Sequence, residues 1–162
     1  MRVLLDSTYL LPVFGIEVEG LTISDYRVLK RMVRKGVLAL YYSPISWVEL
    51  VGKIAKEMGA AGKKASRAED VVKAAFDSIT RSRILQEVVP TAEDLELALK
   101  MRLLGHRDVI DNLLYSMAFN NGMILLSMDR ALRDFIKENR GEGLDPGIIK
   151  DHKTLFYETR SL

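Results

Sequence analysis

The sequence contains no cysteine and only two histidines, His106 and His152. The lack of cysteine excludes disulfide bonds, zinc ribbons and thiol catalysis. With two histidines, a histidine-rich metal centre is not expected either. Any chemistry in this chain must therefore rely on carboxylates, hydroxyls, amides and basic side chains.

The sequence also lacks a strong excess of charge and a long apolar run. The formal net charge is +2 over 162 residues, so nucleic-acid binding would require a local basic patch. The first apolar run, Val3–Leu5, is too short for a signal peptide or a membrane span. We therefore expect a cytoplasmic protein that does not bind membranes.

Short aliphatic segments alternate with amphipathic segments along the chain, a pattern typical of an α/β fold. The predicted strands are Arg2–Asp6, Val37–Tyr42, Ile84–Val89, Met123–Ser127 and Thr154–Tyr157. The predicted helices are Ser24–Arg34, Ser43–Gly59, Lys63–Ile79, Thr91–Leu104, Asp108–Asn120 and Ala131–Glu138. This order predicts one three-layer α/β/α domain over residues 1–162, with a central, mostly parallel sheet of four or five strands. Residues 139–152 are expected to form a Gly-rich loop.

Four carboxylates stand out by their position in this pattern. Asp6 and Asp129 follow predicted strands, and Glu49 and Asp111 lie among apolar helix residues. The carboxyl ends of parallel strands form the crevice in which α/β proteins bind ligands. Each acid also has an ordinary structural role: Asp6, Asp111 and Asp129 can cap helices, and Glu49 can lie at the rim of the core.

Acids gathered at one edge of a sheet repel each other unless a cation joins them. Oxygen ligands without histidine or cysteine favour Mg²⁺ or Mn²⁺. Asp6 and Asp129, which follow predicted strands, therefore predict a divalent metal site at this edge. Asp108 precedes Asp111 by three residues and can take the capping role at the start of the same helix.

Three segments resemble the PIN-domain nucleases. They are Leu4-Leu5-Asp6-Ser7-Thr8, Ser43-Pro44-Ile45-Ser46-Trp47-Val48-Glu49-Leu50, and Asp111-Asn112-Leu113-Leu114-Tyr115-Ser116-Met117-Ala118 followed by Gly122 and Leu125-Leu126-Ser127-Met128-Asp129. The spacing from Asp111 through Gly122 to Asp129 is the most specific part. The resemblance implies a PIN-like domain that cuts single-stranded RNA with Mg²⁺ or Mn²⁺.

By this resemblance Asp6, Glu49, Asp111 and Asp129 match the family's metal-binding acids, and Ser7 and Ser127 match its hydroxyl positions. The resemblance also makes Asp108 a candidate auxiliary metal ligand. The chain looks most like the VapC-type toxin ribonucleases of toxin–antitoxin pairs. That likeness implies a small antitoxin partner and a homodimer, with a helical clip at about residues 43–80 in both contacts.

Basic side chains near the acids are candidates for binding RNA phosphates. Lys53 and Lys56 follow Glu49 on its helix, and Arg130 follows Asp129. Their alternative is a solvated helix face. Two other functions remain open: a receiver-like phosphoacceptor, and a catalytically idle PIN-like domain that acts through protein–protein binding. A receiver needs an early acid pair and a late lysine, and neither is clear in this sequence.

Overall fold

The structure is a computed structural model that describes residues 1–60 and 65–159. In this part of the chain, five strands form one sheet in the order β3-β2-β1-β4-β5, and every neighbouring pair is parallel. The strands are β1 Arg2–Leu5, β2 Ala39–Tyr42, β3 Leu85–Glu87, β4 Ile124–Leu126 and β5 Ile149–Lys150. The predicted three-layer α/β fold with a parallel sheet is confirmed.

The central strand β1 lies between β2 and β4. Val3 pairs with Leu40 on one side and with Ile124 on the other. The chain leaves β1 towards β2 and β3 and later returns to the opposite side through β4 and β5. The order of strands therefore reverses between β1 and β4, and a crevice opens at the carboxyl ends of these two strands.

Seven α-helices within the described residues cover the two faces of the sheet. They are α1 Ile23–Arg34, α2 Ser46–Ala60, α3 Ala65–Thr80, α4 Ala92–Leu103, α5 Val109–Asn120, α6 Arg130–Glu138 and α7 His152–Glu158. None of these helices is both long and apolar enough to cross a membrane.

Successive residues of β1 face opposite cores, as a strand with a period of two requires. Val3 and Leu5 belong to one apolar cluster together with residues of α1, α2, α3 and α7. Leu4 belongs to the other cluster, which includes residues of α4, α5 and α6. Burial on both faces explains why β1 and β4 are almost wholly aliphatic.

The first helix begins slightly earlier than its sequence predicts. The sequence indicates Ser24 as the cap, but the structure caps α1 with Thr22, whose backbone N donates to Asp25 Oδ2 at 2.8 Å. Thr22 Oγ1 accepts in return from the backbone N of Asp25. Both residues of a capping box are therefore present, and this reciprocal arrangement satisfies two free N–H groups.

The C-terminal prediction was wrong. Residues Thr154–Tyr157 lie within α7, and the fifth strand is the two-residue β5 that precedes it. Asp151 caps α7 by accepting a hydrogen bond of 2.8 Å from the backbone N of Thr154. The two-residue strand β5 is too short to show a periodic pattern in the sequence. For α7, the capping residue Asp151 is the sequence feature that indicates a helix. The predicted loop at residues 139–152 contains β5 and two short 3-10 turns, Arg140–Glu142 and Pro146–Ile148.

The two helices predicted to form a clip, α2 and α3, both contribute buried residues to the core. Leu50 and Ile54 of α2 and Ile79 of α3 lie in the same apolar cluster as Leu5. Part of this predicted segment, residues 61–64, lies outside the described residues. A partner-binding role of these helices would therefore use only their outward faces.

Candidate functional site

The four predicted acids come from four separate elements near the carboxyl end of β1. Asp6 follows β1 and is 5% exposed, and its backbone N donates to the Leu126 carbonyl at 3.1 Å. Glu49 and Asp111 lie in the first turns of α2 and α5, and Asp129 is the N-cap of α6. Helix N-termini carry partial positive charge, which favours carboxylates at these three positions.

Asp111 experiences the charges of all the other candidate acids. Burial, followed by the negative charges of Asp6, Asp108, Asp129 and Glu49, raises the pKa of the Asp111 carboxyl to about 8. Nearby charges raise the pKa of a carboxyl in this way, so Asp6, Asp108, Asp129 and Glu49 lie within electrostatic range of Asp111. The fold therefore brings together acids that are separated by more than a hundred residues in the sequence.

Two serine hydroxyls orient Asp6. Ser7 Oγ donates to Asp6 Oδ1 at 3.2 Å, and Ser127 Oγ donates to Asp6 Oδ2 at 3.0 Å. The Ser127 hydroxyl also accepts a hydrogen bond of 3.1 Å from the backbone N of Asp129. Ser127 thus connects the ends of β1 and α6, and both predicted hydroxyl positions contact the central acid.

Lys53 lies among these acids. Its ammonium forms an ion pair of 2.5 Å with Glu49 Oε1 and donates a hydrogen bond of 2.8 Å to Ser7 Oγ. The sequence indicated a phosphate contact or a solvated helix face for this residue. The clue to its position is the spacing of four residues from Glu49, which places both side chains on one face of α2.

Burial is the largest influence on the pKa of Asp6 and raises it above its ordinary value. The ammonium of Lys53 lowers this pKa, the charge of Glu49 raises it again, and the hydrogen bonds from Ser127 and Ser7 lower it. Asp6 is therefore a desolvated carboxyl whose charge is favoured by Lys53 and by two hydroxyl donors.

Asp108 has a capping role in the structure. Its Oδ1 accepts hydrogen bonds from the backbone N atoms of Ile110 and Asp111, at 2.9 Å and 3.1 Å. Its charge still acts on Asp111. Auxiliary metal ligation by Asp108 stays a prediction.

Asp129 caps α6 in a similar way, since its Oδ1 accepts from the backbone N of Leu132 at 2.9 Å. The alternative capping role of both aspartates is therefore observed. Capping uses one carboxylate oxygen and leaves the other available, so it does not conflict with metal binding.

The basic candidates occupy different surroundings. Lys56 is exposed on α2. Arg130 lines a cavity of about 480 Å³ together with Arg133, Lys153, His152 and other residues. Arg133 donates from Nη2 to the Ser127 carbonyl at 3.3 Å, and its Nη1 lies 3.6 Å from Asp151 Oδ2. This cavity therefore adjoins the strand end that carries Ser127.

The donor atoms at the site suit a hard divalent cation. The candidate ligands are carboxylate oxygens, and Glu49 Oε2 is buried without a hydrogen-bond partner among the described residues. Within residues 1–60 and 65–159, no three acidic or histidine side chains are already arranged as a metal-ligating group. In this structure Asp6 accepts hydrogen bonds from two serines, Glu49 pairs with Lys53, and Asp129 accepts from the backbone of α6. As donors, carboxylate oxygens without histidine or cysteine fit Mg²⁺ or Mn²⁺.

The chain matches the family model of the PIN domain over residues 3–138. This range includes Asp6, Glu49, Asp111 and Asp129. No curated protein matches the chain.

Two solved structures share the fold. One is the crystal structure of VapBC2 from Rickettsia felis bound to a DNA fragment from their promoter, which is 17% identical with a TM-score of 0.58. The match covers 93% of this chain and 98% of that chain. The other is PAE2754 from Pyrobaculum aerophilum, which is 16% identical with a TM-score of 0.58 and with coverage of 100% and 91%. At these identities the likeness shows the fold alone.

Proposed function

This chain belongs to the PIN domain family, and we propose that it is a metal-dependent endoribonuclease that hydrolyses phosphodiester bonds of single-stranded RNA. PIN domains are generally nucleases. The observation that supports the proposal is that the charges of Asp6, Asp129 and Glu49 all act on the buried carboxyl of Asp111 and raise its pKa. The likeness to the VapBC2 structure supports the further proposal that the enzyme is the toxin of a toxin–antitoxin pair.

The chain's own residues have distinct roles in this reaction. Asp6 is the central ligand, because it is buried at the end of the middle strand and both its oxygens are oriented by serines. Asp111 and Asp129 complete the ligand set. Glu49 adds a negative charge at the edge of this acidic site. When bound there, Mg²⁺ or Mn²⁺ supplies Lewis acidity and charge neutralisation to the phosphodiester.

Neither histidine is placed to act as a general base. His106 Nδ1 lies 2.7 Å from Asn112 Oδ1, and the ring packs against Phe135. His152 is buried, and its Nδ1 lies 3.1 Å from the hydroxyl of Tyr9. Activation of water is therefore assigned to the acidic centre rather than to an imidazole.

RNA binding is assigned to basic residues around the acids. Arg130 and Arg133 line the cavity beside Ser127, and Lys56 lies two turns of α2 beyond Glu49. Arg133 is already fixed by the Ser127 carbonyl, whereas Arg130 and Lys56 are exposed and accessible to phosphates. Backbone phosphate contacts of this kind make binding dependent on salt.

An antitoxin and a second copy of the chain are the proposed protein partners. The outward face of α2 exposes Val48 and Val51, and Phe76 of α3 is also exposed. Val48 and Val51 are three residues apart on one side of α2, and exposed apolar side chains that lie side by side favour a protein contact. These residues support the role proposed for the helices at residues 43–80.

The decisive experiment compares Asp6→Asn with a matched control, Asp134→Asn, in a cleavage assay. Asp134 is an exposed aspartate on α6 whose ion-pair partner is Lys137. Purified protein is incubated with single-stranded RNA and Mn²⁺, with EDTA as a second control. We expect cleavage by the natural protein and by Asp134→Asn, and none with EDTA. Asp6→Asn should reduce activity by more than about 100-fold, because removal of a group that merely supports a metal ligand already costs about 10–100-fold.

Cleavage retained in Asp6→Asn would overturn the assignment, since it would reveal a contaminating nuclease or another site. Single-stranded DNA and double-stranded RNA of the same sequence test the substrate class. Equal cleavage of all three would contradict the preference for single-stranded RNA.

A further inference from the structure

Lys53 is fixed between two parts of the acidic site. Its Nζ lies 2.5 Å from Glu49 Oε1 and 2.8 Å from Ser7 Oγ, and Ser7 Oγ donates in turn to Asp6 Oδ1 at 3.2 Å. One ammonium therefore contacts one acid directly and the central acid through a single hydroxyl. The Lys53 side chain is 36% exposed, so it is partly withdrawn from solvent.

The backbone of α2 holds Lys53 in this position. Glu49 and Lys53 lie four residues apart on the helix, and Leu50 and Ile54 beside them are buried in the core. Because the two residues are one helical turn apart, the helix itself brings the Lys53 ammonium next to Glu49. Its positive charge is part of the folded site.

Lys53 also differs from the other basic residues near the site. Among the described residues, it is the one basic side chain that forms an ion pair with any of the four acids; Arg133, which donates to the Ser127 carbonyl, pairs with Asp151. Lys56, on the same helix, is exposed and forms no ion pair within the described part of the chain. The two lysines are therefore a natural test residue and control.

We propose that the Lys53 ammonium takes the place of a second divalent ion, so that this site binds one Mg²⁺ or Mn²⁺ per chain. This inference rests on the proposed function. A second dication bound to the Glu49 carboxylate would lie beside the ammonium that Oε1 already contacts at 2.5 Å, and the two positive charges would repel each other. The remaining acids, Asp6, Asp111 and Asp129, form the ligand set for the single ion.

Glu49 acquires two roles under this proposal. Its Oε1 fixes Lys53, whereas Oε2 is buried and without a hydrogen-bond partner among the described residues. That oxygen is available to the coordination shell of the single ion. Replacement of Lys53 by a neutral residue frees both oxygens and opens a second cation position.

The test is the stoichiometry of Mn²⁺ binding, measured on the purified full chain by isothermal titration calorimetry and by the electron paramagnetic resonance signal of free Mn²⁺. The proteins are the natural chain, Lys53→Met and the control Lys56→Met. We expect one ion per chain for the natural protein and for Lys56→Met. Lys53→Met should bind a second ion, with an affinity at least about tenfold above any second binding by the natural protein, which corresponds to about 1.4 kcal/mol.

Two ions bound with comparable affinity by the natural chain would overturn the inference, and so would unchanged binding in Lys53→Met. Either result can coexist with Mn²⁺-dependent RNA cleavage, which leaves the proposed function intact. Absence of any Mn²⁺ binding would overturn both. Circular dichroism checks the fold of Lys53→Met, with Lys53→Gln as a second variant. Two ions bound by the natural protein would overturn the inference whether or not these variants fold.

Discussion

Ser127 at the end of β4 donates a hydrogen bond of 3.0 Å to Oδ2 of Asp6 at the end of β1. The two residues are 121 positions apart in the sequence. The parallel pairing of Leu5 with Leu126 brings their strand ends side by side. The hydroxyl therefore reports the register of the two central strands and orients the acid on which the proposed chemistry depends.

Ser127→Ala should weaken metal binding without unfolding the protein. The change removes one of the two hydroxyl donors to Asp6 and the acceptor of the Asp129 backbone N. Removal of such an orienting partner typically lowers metal affinity or activity by about 10–100-fold. Mn²⁺ titration calorimetry measures the effect. Ser116→Ala is the control, because Ser116 is equally buried but donates to the Asn112 carbonyl within α5. Equal decreases in both variants would show a general packing defect.

Asp111→Asn should stabilise the protein at alkaline pH in EDTA. The folded-state pKa of about 8 lies above the ordinary value of 3.8, so the folded chain retains a proton that the unfolded chain has released. This group therefore lowers the free energy of unfolding as pH rises between these values. Removing it should raise the Tm at pH 9 by about 4–8 °C, equivalent to about 2 kcal/mol for a domain of this size.

At pH 4 the same Asp111→Asn substitution should change the Tm little, because the carboxyl is then largely protonated in the folded chain and close to its ordinary midpoint in the unfolded one. Differential scanning calorimetry at both pH values gives the comparison. Asp134→Asn, which removes an exposed carboxylate of α6, is the control. A gain in Tm that is the same at pH 4 and pH 9 would contradict the assigned repulsion.

Arg130→Ala should weaken binding of single-stranded RNA and reduce its salt dependence. For single strands, each phosphate that the protein no longer neutralises changes the slope of log K against log salt by about 0.7. Fluorescence anisotropy with labelled RNA, in the Asp6→Asn background to prevent cleavage, gives this slope. Arg102→Ala on α4 is the control, because Arg102 is exposed and does not line the cavity that contains Arg130. An unchanged slope for Arg130→Ala would remove this residue from the RNA-binding surface.

Tyr9→Phe should destabilise the fold by about 1–3 kcal/mol, because it leaves buried polar groups without a partner. The Tyr9 hydroxyl accepts from the backbone N of His152 at 3.2 Å and lies 3.1 Å from His152 Nδ1. These contacts hold the start of α7 against the turn after β1. Urea unfolding measures the change, with the exposed Tyr157→Phe as the control. Equal stability of the two variants would show that the contact contributes little.

Val48→Glu should dissociate the proposed homodimer. Val48 is 69% exposed on the outward face of α2, so a charge there would be desolvated only if a partner covers it. Light scattering after size-exclusion chromatography gives the mass. The control is Leu99→Glu, which introduces the same charge at a leucine of α4 that is 59% exposed. A monomer with Leu99→Glu and a dimer with Val48→Glu would place the interface on α4 instead.

The role of Lys53 shows the limit of prediction from sequence. Its spacing from Glu49 predicts an ion pair on one face of a helix, but the same spacing is common on solvated surfaces. The hydrogen bond to Ser7 depends on how α2 is docked against the end of β1. No local pattern contains that information, because the two segments meet only after the sheet has formed.

The C-terminal region shows a different limit. The Asp151 cap and the helix α7 have local signals, but the apolar residues at Thr154–Tyr157 also fit a short strand, and that prediction was wrong. The two-residue strand β5 has no local signal of its own, since it is defined by its pairing with Leu125 and Leu126. The position of β5 is set by its pairing with the edge of β4 and cannot be read from its own two residues.

The sequence by itself determined the α/β pattern, the buried central strands, and the acids at Asp6, Glu49, Asp111 and Asp129. These features can be predicted because the order of apolar and polar residues along a segment indicates its secondary structure and its burial. The tertiary structure decided which groups face those acids: two serines on Asp6, a lysine on Glu49, and the neighbouring charges that raise the pKa of Asp111. The physical reason is that two groups interact electrostatically or by a hydrogen bond only when the folded chain brings them close together. In a parallel sheet, that distance is fixed by strand order and register rather than by separation along the chain.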